Sequence, residues 1–102
     1  MNKFREFSYQ FTDGAETNVV ATLANHNIGI GVLIEFQLPE KSARRRIKFV
    51  SDPRNPESLL FVRSKSNEEL LNYAINRFVN EEWGDRLASS NGGEEHVHVE
   101  PI

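Results

Sequence analysis

Three histidines, eight serines and no cysteine limit the chemistry open to this 102-residue chain. His96-Val97-His98 has the one metal-like spacing: in an extended chain both imidazoles share a face, about 7 Å apart, with Glu94 and Glu100 in the same register. Zinc asks for three or four ligands on a rigid frame. Gly92-Gly93 precede this pair, so we expect no metal site. The lack of cysteine removes thiol nucleophiles, disulfides and thiolate ligands. No serine lies in a GxSxG elbow, and His26, between Asn25 and Asn27, reads as a turn or cap residue rather than a base.

The carboxylates give no stronger signal. A general acid and base must share one cleft in which their pKa values separate. Glu68/Glu69 and Glu81/Glu82 are adjacent on a predicted helix and point about 100° apart, as a capping box and a solvated face would have them. Glu35 is embedded in an apolar strand but shares its face with Gln37 and Gly31, which reads as a solvated sheet face. No GxxxxGK[ST] phosphate loop occurs. Gly29-Ile30-Gly31 reads as small residues on the outer sheet face, covered by a neighbouring aromatic such as Tyr9. We therefore expect no catalytic residues and no cofactor.

Charge is the surviving feature, and it is partitioned. The formal net charge is −3, but residues 41–65 hold eight basic side chains against Asp52 and Glu57, whereas residues 66–102 hold Arg77 and Arg86 against eight acids. The candidate anion- or partner-binding residues are Arg44, Arg45, Arg46, Arg63 and Lys65. In a meander of strands over 28–38, 46–51 and 59–63, loop 39–45 and the exit of the third strand meet beside the start of the last helix. Guanidinium forks beside a helix N-terminus make an anion-binding end.

The elements that must position these residues follow from periodicity. Phe7, Tyr9 and Phe11 alternate with Glu6, Ser8 and Gln10, a half-buried strand ended by Asp13-Gly14. In residues 15–27, Ala15, Val19 and Leu23 recur at helical spacing. We read a helix there, with a strand carrying Thr17, Val19, Val20 and Thr22 as the competing reading. Ile28, Ile30, Val32, Ile34, Phe36 and Leu38 alternate without interruption, a long strand ended by Pro39. Asp52-Pro53 and Asn55-Pro56 read as a turn. Ser66-Asn67-Glu68-Glu69 reads as a capping box opening a helix that runs to about Leu87, with Leu71, Ile75 and Phe78 on the apolar strand face.

The expected fold is thus one α+β domain over residues 1–87: an antiparallel sheet in the order β-α-β-β-β-α, its second element uncertain, under a long C-terminal helix. Residues 88–102 read as a flexible acidic tail. The order α-β-β-β-α over 15–87 is shared with double-stranded RNA-binding domains, whose Gly-Pro-x-His loop and Lys-Lys-x-x-Lys helix start are replaced here by Pro39-Glu40-Lys41-Ser42-Ala43 and Asn67-Glu68-Glu69-Leu70-Leu71.

No apolar run approaches a membrane span, and the start, MNKFREFSYQ, has no signal-peptide core, so a cytoplasmic location without membrane is expected. The functional expectation is a small non-enzymatic protein-binding or regulatory module, inhibitor- or adaptor-like, that acts by occluding a macromolecular partner. The alternative is RNA binding through Arg44–Arg46 and the start of the last helix.

Overall fold

The computed structural model describes residues 4–26, 29–39, 43–90 and 92–100. Four strands come first: β1 (Phe4–Gln10), β2 (Glu16–His26), β3 (Gly29–Gln37) and β4 (Arg44–Ser51). Three helices follow, α1 (Pro56–Ser64), α2 (Asn67–Asn80) and α3 (Trp83–Ala88), and then β5 (Glu94–Val99). The strands form one sheet in chain order, antiparallel from β1 to β4, with β5 parallel to β4. The three helices return the chain from the end of β4 to its start. A strand entering there has to run parallel.

The expected fold class is corrected on three points: the sheet is mixed rather than antiparallel, the second element is a strand, and no long C-terminal helix exists. Residues 16–26 are extended because sheet alternation satisfies them on both sides. Val19 and Ala21 are fully buried toward the helices, while Asn18, Val20 and Thr22 take the other face. Gly14, at φ +94°, makes the β1–β2 turn, which Phe11 N–H closes onto the Ala15 carbonyl at 2.7 Å.

Residues 59–63, expected as a strand, lie inside α1. Asn55 is its N-cap, accepting from the Glu57 N–H at 3.1 Å, and Pro56 takes the first helical turn. Proline loses nothing there because that N–H has no helical partner. Buried Ser58 then pins α1 to the sheet, accepting from Asp52 N–H at 3.0 Å and donating to the Val99 carbonyl.

The capping box at the start of α2 is present in both directions: Glu69 N–H donates to Ser66 Oγ at 3.2 Å, and Ser66 N–H to Glu69 Oε1 at 3.0 Å. The helix does not run on to Leu87. It ends at Asn80, and Glu82 adopts a left-handed φ of 54° before α3 begins. The break lets α3 dock on β1. A Cβ at Gly84 would come within 2.3 Å of the Tyr9 ring, so only glycine admits that contact. Tyr9 thus covers a glycine, but one in α3 rather than the outer-face glycines of β3. Asp85 accepts from the Tyr9 hydroxyl at 2.6 Å and from Thr12 N–H and Oγ1 at 3.0 and 2.9 Å. Leu87 enters the core.

The core lies between the helices and one sheet face. Val32, Ile34, Phe36 and Leu38 are buried as expected, and Phe36 meets Phe78 at 5.7 Å between ring centroids. The Ile28 and Ile30 end of that face lies outside the described side chains. Leu71 and Phe78 are buried, and Ile75 packs against the same cluster. Residues 94–99, inside the segment expected as a tail, form β5 and bring Val97 and Val99 to the core.

Candidate binding surface

Among the described residues, the helices meet β1 and β4 through the odd-numbered residues of those strands, and β3 through its even-numbered ones such as Phe36. Arg5 reaches Glu68 and Asn72, Phe7 and Tyr9 meet Phe78, and Arg45 reaches Leu87. Among the described residues the opposite sheet face carries no helix. It presents Phe4, Glu6 and Ser8 from β1, Val20 and Thr22 from β2, and Leu33, Glu35 and Gln37 from β3. Arg44, Arg46, Lys48 and Val50 come from β4, and Glu94, His96 and His98 from β5. Val20, Leu33 and Val50 are half-buried there, so the face is apolar at its middle and charged along β4 and β5.

Strand alternation splits the three arginines. Arg44 and Arg46 share the open face and lean on a single carboxylate: Arg46 Nε lies 3.0 Å and Arg44 Nη1 3.9 Å from Glu35 Oε2. Glu94 stands opposite Arg46 but is taken by Lys48, so three cations share two carboxylates and a further anion is favoured beside them. Two shallow hollows adjoin them. One, of about 370 Å³, is lined by Thr17, Asn18, Val20, Glu35, Gln37 and Arg44, and the other, of about 400 Å³, by Arg44, Arg46, Gly93 and Glu94.

Arg45 points the other way. Its Nε donates to the Leu87 carbonyl at 2.9 Å and its Nη2 to the Ser90 carbonyl at 3.4 Å, closing the C-terminal end of α3. A cation is favoured at that end of a helix. Arg45 is therefore a structural clasp. Extending the period-two pattern of β4 back by two residues is the sequence signal that separates it from its neighbours.

Arg63 and Lys65 do not join this group. The strand whose exit was to bring them to Arg44–Arg46 is α1, and α1 starts from the far end of β4. Lys65 Nζ sits 5.0 Å from the centroid of the Phe61 ring. The N-terminus of α2 is already occupied by Ser66 and Glu69, so it adds no anion site. Hydrogen bonds from Ser66 hold the Glu69 carboxyl below its usual range.

The histidines lie where an extended chain puts them, side by side on the open face, but they turn to different carboxylates. His96 Nε2 is 3.5 Å from Glu94, and His98 Nδ1 is 3.5 Å from Asp52. Lys48 Nζ approaches Glu94 at 3.0 Å, and that hydrogen bond holds the Glu94 carboxyl low. Among the described residues no three His, Asp or Glu side chains converge as metal ligands.

Glu81 was read as part of a solvated pair and is instead a hub. Arg77 Nε and Nη2 donate to it at 2.8 and 3.2 Å, and Trp83 Nε1 at 2.8 Å. The Arg77 bonds lower its pKa against the opposing effect of burial. Arg77 and Glu81 stand four residues apart, the sequence signal for a helical pair, and the bend after Asn80 adds Trp83 to it.

No helix among the described residues is long and apolar enough to cross a membrane. Comparison with family models, curated proteins and solved structures finds no match.

Proposed function

We propose that this chain is a non-enzymatic, inhibitor- or adaptor-like module that takes an acidic segment of a protein partner across its uncovered sheet face. The observation that carries the reading is the pairing of Arg44 and Arg46 on one carboxylate beside half-buried Val20 and Leu33. Guanidiniums supply forked donors to carboxylates, and the apolar middle of the face adds area that favours burial. We read occlusion of the partner rather than its transformation, because among the described residues no hydroxyl on this face hydrogen-bonds a histidine or carboxylate.

RNA binding draws less support. The element order that suggested it is absent, since residues 16–26 are extended and 59–63 are helical. Arg45 is also committed to α3.

The deciding experiment compares wild type with an Arg44→Glu/Arg46→Glu variant in cross-linking pull-downs from the native host, beside a nucleic-acid titration across salt. The expected result is a protein recovered by wild type and lost with the variant. Recovery of the same protein by both forms overturns the reading, as does a nucleic acid whose affinity falls steeply with salt.

A further inference from the structure

The two edges of the sheet are treated differently by the chain. On β5, Arg46 N–H donates to the Gly93 carbonyl at 2.9 Å, which turns the backbone groups of the even-numbered residues outward. The helical layer reaches over that edge. Arg77 Nη1 donates to the His98 carbonyl at 3.1 Å, and the Tyr73 hydroxyl accepts from Glu100 N–H at 3.2 Å.

β1 has no such cover. The bond from Phe11 N–H to the Ala15 carbonyl fixes the alternation, so that Tyr9, Phe7 and Arg5 bond to β2. The N–H and C=O groups of Phe4, Glu6, Ser8 and Gln10 then face outward, and none of them has a partner among the described residues. Among the described residues no proline or bulge blunts the strand, and its charges are Arg5, held on the helical side by Glu68, and a single Glu6 on the open face. Exposed apolar side chains flank it on both sides. Phe4 is 61 % exposed on the open face, and Val79 of α2 is 44 % exposed beside a hollow of about 350 Å³ along Ser8, Tyr9 and Gln10.

We propose that β1 pairs antiparallel with β1 of a second copy of this chain, about a two-fold axis at Phe7. Outward-facing residues must meet outward-facing residues, which puts the axis on a residue rather than between two, and only Glu6, Phe7 or Ser8 then bonds more than two of the four outward residues. An axis at Glu6 sets two carboxylates opposite each other, and one at Ser8 leaves Phe4 unmatched within the strand. The Phe7 axis alone bonds all four outward residues. Phe4 faces Gln10 of the partner subunit, Glu6 faces Ser8 of the partner subunit, and no like charges stand opposite. The two Glu6 side chains are then diagonal, about 7 Å apart. On the helical side the two Phe7 rings meet, and Arg5 comes beside Tyr9 of the partner subunit. The two open faces become one continuous surface.

Sedimentation equilibrium of the full chain over a wide concentration series tests this, with Ser8→Pro, Ser8→Glu and Ser8→Lys beside wild type. Wild type is expected to dimerise. Ser8→Pro is expected to be monomeric with an unchanged far-ultraviolet spectrum, because the Ser8 N–H contributes nothing to the β1–β2 ladder. Ser8→Glu places a carboxylate opposite Glu6 and should weaken association about tenfold, whereas Ser8→Lys should hold or tighten it. A monomeric wild type at every concentration overturns the proposal, and so does a dimeric Ser8→Pro. Equal weakening by Glu and Lys overturns the Phe7 axis, since an axis at Ser8 sets like charges opposite in both variants. If proline impairs folding, the opposite responses of Glu and Lys decide.

Discussion

Leu33 and Ile34 are consecutive in β3, yet they belong to different kinds of surface. Ile34 is fully buried between Ala21 and Ile47 beneath the helices, whereas Leu33 lies half-buried on the uncovered face between Thr22 and Lys48. The covered face is held by an aromatic cluster, Phe7, Tyr9, Phe36 and Phe78, packed edge to face. The open face is laced instead by exposed ion pairs, which contribute little to stability. One set of strands thus has one face covered by helices and the other uncovered.

The sharpest way to break that contrast is to truncate both neighbours. Ile34→Ala should cost about 2–5 kcal/mol through lost burial and the cavity left behind. Leu33→Ala should cost less than about 1 kcal/mol, because the side chain is already partly in water. Denaturant unfolding of both variants measures the difference. Equal losses would mean that the open face is as much a part of the core as the covered one.

Acid and alkaline unfolding offer a second contrast, between carboxylates that anchor the helical layer and those on the open face. Burial of Asp85 works against its charge, but the hydrogen bonds from Thr12 and Tyr9 outweigh it and hold the carboxyl below its ordinary value. A depressed folded-state pKa adds stability that is present above the unfolded value of 3.8 and is lost as pH falls through the folded one. Tyr9 supplies the opposite limb. Burial, and then its hydrogen bond to Asp85, push its phenol up to about 12, so stability declines as pH rises from 10.0 toward that value. Asp85→Asn should flatten the acid limb and Tyr9→Phe the alkaline one in thermal melts across pH. Glu94→Gln removes an exposed carboxylate that Lys48 also holds low, so it should flatten the acid limb in the same direction but less than Asp85→Asn, and leave the alkaline limb unchanged.

What the sequence disclosed and what it hid divide along local and non-local causes. The alternation through Val32, Ile34, Phe36 and Leu38 and the capping box at Ser66 are local and legible, because neighbouring residues alone decide them. The helical spacing of Ala15, Val19 and Leu23 is equally local and misleading. Pairing on both sides, Val19 with Phe7 and with Phe36, overrides it. Asn55-Pro56 carries the right residues for a helix start as well as for a turn, and the burial of Ser58 beneath Val99 and of Val62 in the core goes with the helix. The break after Asn80 has no sequence signal of its own, since it exists to seat Gly84 on Tyr9. The parallel pairing of β5 joins residues nearly half the chain apart. Of the candidate residues, Arg44 and Arg46 stand together on the open face, Arg45 turns to α3, and Arg63 and Lys65 lie at the end of α1.

The smallest effect carries the finest version of the contrast, between adjacent arginines. Arg45 and Arg46 have the same side chain, but Arg45 closes the carbonyls of Leu87 and Ser90 while Arg46, itself exposed, rests on half-buried Glu35. Removing Arg45 leaves the last carbonyls of α3 without their cation and loosens the helix that carries Gly84 and Asp85. A hydrogen bond to a charged donor at a partly buried site is worth about 1–2 kcal/mol. Arg46→Ala loses only a surface ion pair, about 0.5 kcal/mol or less. The functional order should be the reverse: Arg46→Ala should weaken partner recovery, whereas Arg45→Ala, measured well below its melting point, should retain it. Thermal melts and binding assays on the two variants therefore give opposite rankings if alternation along β4 separates folding from recognition. A shared ranking would return Arg45 to the binding surface.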